Sequence, residues 1–188
     1  MLRAAEHRRT PWKNGGGETA EVAAGPEGAG LDGFDWRVSL AWIEADGPFS
    51  AFPDIDRTLT ILDGDGLRLS IGDGPEVDLV AGTEPHAFPG DVPAAVRLIG
   101  GPVTVLNAMA RRARWRHAVR RVSVVGREVV RDGPGLLFCR SGAIRLEGPD
   151  GEAELGRHDA VRLDGPGPWT LRSDLPSAAI LVRLKPLP

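Results

Sequence analysis

Apolar and polar residues alternate in short runs along almost the whole chain, and glycine and proline cut the runs apart. The clearest run is residues 34–44. Trp36, Val38, Leu40 and Trp42 share one face, and Arg37, Ser39, Ala41 and Ile43 the other, which is the period of two of a β-strand. Residues 57–62 predict a second strand. Residues 67–71 predict a third, with Gly72-Asp73-Gly74 turning the chain into 77–80. Shorter strands are expected at 18–24, 96–99 and 103–109, the last two separated by Gly100-Gly101-Pro102. Phe88-Pro89-Gly90-Asp91 reads as a turn. Beyond residue 111 the same texture gives strands at 119–125, 128–131, 135–140, 142–147, 152–155, 160–163 and 178–184. No segment predicts a helix longer than a turn or two, so the expected class is all-β.

A faint internal repeat accompanies this pattern. Gly66-Leu67-Arg68-Leu69, a Gly/Asp turn and Glu76-Val77-Asp78-Leu79 match Ile144-Arg145-Leu146, a Gly/Asp turn and Glu152-Ala153-Glu154-Leu155. The chain has 188 residues, enough for one large domain or two small ones. Its 25 glycines and 16 prolines are spread throughout, which suits many short strands. The basic stretch 111–121 is the natural boundary between two halves.

Composition removes several functions. A formal net charge of −3 gives no general attraction to nucleic acid or anionic lipid. The basic cluster Arg111, Arg112, Arg114, Arg116, Arg120 and Arg121 is short and reads as a solvated linker face or a charge match between the two halves. One cysteine, Cys139, excludes an internal disulfide and a multi-cysteine zinc site. Cys139 lies in an apolar strand, where a thiol is inert. The opening MLRAAEHRRTPW lacks the apolar core of a signal peptide. No apolar run approaches the ~20 residues of a membrane span. The expectation is a cytoplasmic protein with no nucleic-acid or membrane partner; a homodimer stays open.

The candidate chemistry is cationic. Arg57 stands in the row Arg57, Leu59, Ile61, and Arg37 in the row Arg37, Ser39, Ala41, Ile43. A guanidinium inside a small barrel is costly unless paired, and its planar fork suits a carboxylate. These rows could instead face solvent, or the arginines could pair with Asp54, Asp56 or Glu21. Asn107 sits in the otherwise apolar row Val103, Val105, Asn107, Met109. A buried amide there needs partners from ligand, water or backbone. Lys13 and Asn14 precede three glycines, whose backbone can approach an anion, though a tight turn explains the run as well. Phe49 and Phe52 would form an apolar wall or plain core. No G-x-S-x-G elbow exists, and no GK[ST] follows a strand.

Three segments carry a family resemblance: GPFSAFPDIDRTLTILDGDG (47–66), TPWKNGGGETAEV (10–22) and FDWRVSLAWIEADGPFS (34–50). Together they closely resemble the HutD/Ves family, small bacterial two-cupin proteins tied to histidine utilisation. The resemblance covers most of residues 2–117 and is thinner afterwards. It implies two RmlC-like jelly-roll barrels packed together, the first over 1–112 with the ligand pocket, the second, degenerate one over 113–188. It also implies binding of a small pathway carboxylate such as urocanate or a formylated glutamate. Lys13, Asn14, Arg37, Ser39, Phe49, Arg57 and Asn107 are then the ligand-binding set. No catalytic residue, metal or cofactor is expected. Where metal-binding cupins carry His-x-His and Glu, this chain has Phe52, Pro53, Asp54 and then Arg57 or Thr58; after Pro89 and Gly90 no histidine follows until His117. His7, His86, His117 and His158 are scattered without shared-ligand spacing. The competing expectations are a metal-free isomerase or hydrolase using Glu21 with the arginines, and a partner protein with no pocket.

Overall fold

The computed structural model describes residues 1–188 except 132, 150 and 166. Among the described residues the architecture is strand-built, with a single 3-10 turn at Ala4–Glu6. None of the helical structure is long and apolar enough to cross a membrane. The chain divides into two compact units, one formed by Arg8–Trp115, the other by Met1–His7 with Arg116–Leu187.

The first unit carries ten strands: β1 Arg9–Pro11, β2 Gly17–Gly25, β3 Trp36–Ile43, β4 Gly47–Pro48, β5 Ile55–Asp63, β6 Leu67–Ile71, β7 Val77–Leu79, β8 His86–Pro89, β9 Ala94–Leu98 and β10 Val103–Arg111. They form a six-stranded sheet in the order β1-β2-β3-β10-β5-β8 and a four-stranded sheet in the order β4-β9-β6-β7. The pairings are antiparallel. One core binds the two sheets. Ala41, Ile43, Leu59, Ile61, Phe88, Val103 and Val105 come from the larger sheet, and Leu67, Leu69, Leu79, Ala94 and Val96 from the smaller. Gly64, at φ 93°, makes the turn between β5 and β6. A Cβ there would lie 2.5 Å from the Pro102 carbonyl oxygen, so a side chain is excluded on two grounds.

The alternation read in residues 34–44 holds in β3, but both faces are buried: Val38 and Leu40 on one, Ser39 and Ile43 on the other. Of the turn expected at 88–91, Phe88 and Pro89 instead end strand β8, and Gly90 and Asp91 form the turn. Pro89 is tolerated because β8 lies at the sheet edge.

The second unit carries β11 Trp115–Val130, β12 Gly135–Ser141, β13 Ile144–Gly148, β14 Gly151–Leu155, β15 Ala160–Leu163 and β16 Trp169–Pro186. Their sheet runs β14-β13-β16-β12-β15, with β11 also on β16. The basic stretch is therefore largely strand, and β11 continues through Gly126, which adopts φ 72° without ending it. Met1–His7 joins this unit because Leu2 bridges to Ala160 and because Asp159 accepts hydrogen bonds from the Ala4 amide and the Arg3 guanidinium, each at 2.8 Å. The repeated hairpins are both present, Leu67 opposite Leu79 and Ile144 opposite Leu155.

The inner core of the second unit is apolar throughout: Leu137, Cys139, Leu146, Leu155, Leu163, Trp169, Ala179 and Leu181 are among its members. Trp169 fills it. Gly133, Gly148 and Gly167 leave room for the indole, since a Cβ at any of them would come within 2.7 Å of a ring atom. Removing a buried aromatic of this kind typically costs about 3–5 kcal/mol. Trp169→Ala should therefore lower the urea midpoint of this unit by a corresponding amount, read by far-UV circular dichroism. A loss under about 1 kcal/mol would show that the indole is not the central packing element.

Candidate functional site

Register places the candidate residues. Directly opposed residues in a sheet share a face. Across the six-stranded sheet one row runs Glu21, Ser39, Asn107, Leu59, His86, and the adjacent row runs Arg37, Met109, Arg57, Phe88. Leu59, Phe88, Ile61 and Val105 belong to the core between the sheets. The polar members of both rows thus stand on the inner face. A register shift in β2 between Glu21 and Ala23 sets Glu21 opposite Ser39, one row from Arg37. Bulges of this kind re-aim side chains beside functional sites.

Arg57 is the centre of this arrangement. The residue is 5% exposed. Its guanidinium carbon lies 5.0 Å from the Phe49 ring centroid, 5.5 Å from Phe52 and 5.1 Å from Phe88. Three aromatic faces attract a cation but do not neutralise it. Nη1 donates to the Ser50 carbonyl oxygen at 3.2 Å, while Nε is buried and without an acceptor. Among the described residues Arg57 has no carboxylate partner. Burial, and then the nearby charge of Arg37, lower its pKa to about 10. It remains a cation at neutral pH, and an uncompensated one. Gly90 admits the side chain: a Cβ there would meet Arg57 Cδ at 3.1 Å and the Ile55 carbonyl oxygen at 2.8 Å.

The neighbouring row is built differently. Arg37 Nε donates to Glu21 Oε2 at 2.9 Å, and Nη1 reaches Ser39 Oγ at 3.5 Å. The Arg37 side chain is 11% exposed and that of Glu21 41%. Asn107 is 8% exposed; its Nδ2 donates to Met109 Sδ at 3.4 Å, and its Oδ1 is buried with no donor. Each orphaned polar atom costs desolvation that no described residue returns.

The structure therefore gathers Arg37, Ser39, Phe49, Arg57 and Asn107 in one place. Lys13 and Asn14 lie on the exposed turn before β2, where Asn14 Oδ1 accepts from the Gly16 amide at 3.1 Å. That turn reaches the site through Trp12, whose ring meets Phe49 edge-on at 6.5 Å. Phe88 was missed, because Pro89-Gly90 signals a turn; the signal available was an aromatic residue directly ahead of a sheet-edge proline. A groove of about 320 Å³ lies elsewhere on this unit, lined by Asp46, Gly47, Pro48, Ser70, Glu76, Ala95, Val96 and Arg97. It includes none of the two rows and lacks their orphaned polar atoms.

Metal chemistry does not fit these residues. Among the described residues no group of three or more His, Cys, Asp or Glu is placed to hold an ion. The two guanidiniums would repel a divalent cation. His86, at the edge of the rows, stacks on Phe88 at 6.4 Å. Cys139 belongs to the other unit's core, and burial, then Asp159, push its thiol up to about 11, which leaves little thiolate near neutrality.

Comparison with known proteins gives the family and the fold. A family model described as HutD matches residues 4–181. The chain belongs to the HutD family. It is 36% identical over 166 residues to an uncharacterised 21.2 kDa protein in the hutC 3′ region of Pseudomonas putida, covering 88% of this chain and 86% of that one. It is 34% identical to protein Ves of Cronobacter sakazakii over 72% of each chain. Among solved structures, HutD from Pseudomonas fluorescens matches with a TM-score of 0.84 and 30% identity, covering 100% of this chain and 98% of that one. A cupin 2 conserved barrel domain protein from Leptotrichia buccalis matches at TM-score 0.60 and 10% identity, over 89% of this chain and 88% of that one. That likeness assigns the cupin-like β fold alone. The HutD family is associated with the histidine-utilisation locus.

In this HutD-family chain the buried cation makes a stability prediction. A buried, unpaired charge replaced by an apolar side chain of similar length is commonly neutral or stabilising. Arg57→Met keeps the stem on Gly90 and gives the three rings a thioether to pack on. Its melting temperature should equal or exceed that of the parent. A loss of more than about 2 kcal/mol would identify the guanidinium as a structural member of the core.

Proposed function

We propose that this protein is a cytoplasmic, non-catalytic binder of a small carboxylate metabolite of histidine catabolism, with urocanate and formylglutamate as the candidate ligands, and that it modulates use of that pathway. On this reading the chain is a bicupin: the unit Arg8–Trp115 is the ligand-holding barrel and the other unit is a degenerate barrel filled by Trp169. The observation that carries the reading is Arg57, a buried guanidinium with an orphaned Nε, no acidic partner among the described residues, and an aromatic collar. A carboxylate supplies what that group lacks, two in-plane acceptors and one negative charge. The aromatic rings suit the flat or apolar remainder of such a molecule.

Binding rather than turnover follows from the groups in the two rows. The Glu21 carboxylate is engaged by Arg37, and Ser39 sits beside a guanidinium rather than a base. Neither arrangement activates a nucleophile. The bound molecule is therefore released unchanged.

The reading is tested by thermal shift and calorimetry with urocanate, formylglutamate, glutamate and histidine. A ligand that binds the folded state alone raises the melting temperature. Losing the charged partner of a bound carboxylate typically costs about 2–5 kcal/mol, so Arg57→Met should weaken binding well over tenfold. Arg57→Lys should recover part of it, keeping charge without the fork. Undiminished binding by Arg57→Met, or conversion of the ligand recovered after incubation, would overturn the reading.

A further inference from the structure

The carboxylate reading leaves two features of the site unused, and both constrain the rest of the ligand. The first is Asn107. Its Nδ2 faces Met109 Sδ, and sulfur accepts but does not donate, so the amide orientation is set and Oδ1 is left as an acceptor in search of a donor. Asn107 is opposite Leu59, which is two residues from Arg57 on the same face. One small molecule can span adjacent rows of a sheet. The second is the charge balance of the inner face. The two rows hold two guanidiniums, Arg37 and Arg57, and one carboxylate, Glu21, already bonded to Arg37. His86 is the remaining titratable side chain in these rows. With imidazole neutral, the site is left with a single positive charge. One ligand carboxylate cancels it. A second would have to displace Glu21 from Arg37 or lie against it, and like charges repel there even though the Glu21 side chain is 41% exposed.

We infer that the site selects a monocarboxylate that also carries an N–H donor: Arg57 takes the carboxylate, the Asn107 carbonyl oxygen takes the N–H, and Glu21 rejects a second carboxylate. This rests on the carboxylate reading above and narrows it. An acceptor buried for an N–H penalises an analogue that offers oxygen at that place, because two acceptors then face each other. The chemistry favoured is a planar N-heterocyclic acid or an N-acylated amino acid of one negative charge, over a dicarboxylate.

Two matched pairs of probes test this by calorimetry on the full chain at about pH 8, above the ordinary imidazole range. The first pair is urocanate against 3-(3-furyl)acrylate, which puts oxygen in the ring and removes the N–H. The second is 4-formamidobutyrate against N-formylglutamate, which adds the second carboxylate. In the parent protein the N–H and single-carboxylate members should bind at least tenfold more tightly. Asn107→Leu should erase the first preference and leave the furyl acid unchanged or tighter. Glu21→Gln should shrink the second preference by several-fold. Equal affinities within both pairs in the parent, with binding still lost in Arg57→Met, would overturn this inference and leave the carboxylate reading standing. Binding that survives in Arg57→Met, or no binding of any of the four probes, would overturn both. The parent comparison needs no variant, so a poorly folded substitution does not shield the inference.

Discussion

A guanidinium buried in an apolar core between two sheets, with no counter-ion among the described residues, is the constraint on which this structure turns. Placing it there costs several kcal/mol in desolvation. The fold meets only part of that cost, through one backbone carbonyl and three aromatic faces around Arg57. The elements nearby are arranged for it. Gly90, just past β8, leaves room for the stem, and the segment after β4 brings Phe49 and Phe52 over the head group. The register of β5 against β10 and β8 puts Met109 and Phe88 on either side.

The second unit acts as an internal control. It is also built on antiparallel strands and repeats one of the hairpins, yet its core positions are valine, isoleucine, leucine, alanine, cysteine and tryptophan. The one buried charge of that unit among the described residues, Asp159, is paired with Arg3 and the Ala4 amide, so a β core of this size closes without a buried charge left unpaired. The polar rows of the first unit are therefore not a requirement of the architecture. They are a local departure from a packing that the same chain achieves elsewhere, and such departures gather at functional sites.

Much of this was legible in the sequence. Alternation placed β3 and gave Arg37, Ser39 and Ala41 a common face, and the row logic set Arg57 and Asn107 among core residues. What alternation could not supply was depth. From Arg57 to Leu62 in β5 both faces are buried, so pattern alone leaves the arginine free to point to core or solvent. Register was also hidden. Phe88 opposes Arg57 because β8 pairs with β5 across a long connection, and the Pro89-Gly90 pair disguised the strand as a turn. The bulge at Glu21, which makes it the partner of Arg37, has no local signature such as a glycine. Lys13 and Asn14 stood out through the glycine run that follows them, but that turn satisfies its own backbone, with the Gly15 amide on the Trp12 carbonyl and the Gly16 amide on Asn14.

The most direct probe of the central claim is the Arg57 Nε–H itself, followed by ¹⁵N NMR in the side-chain arginine region and assigned by its loss in Arg57→Lys. In the free protein this proton meets no acceptor among the described residues. On titration with urocanate it should move downfield and exchange with solvent more slowly, saturating in step with the calorimetric isotherm. A ligand that binds while this resonance stays in place would contradict the account, because the carboxylate would then be held somewhere other than on Arg57.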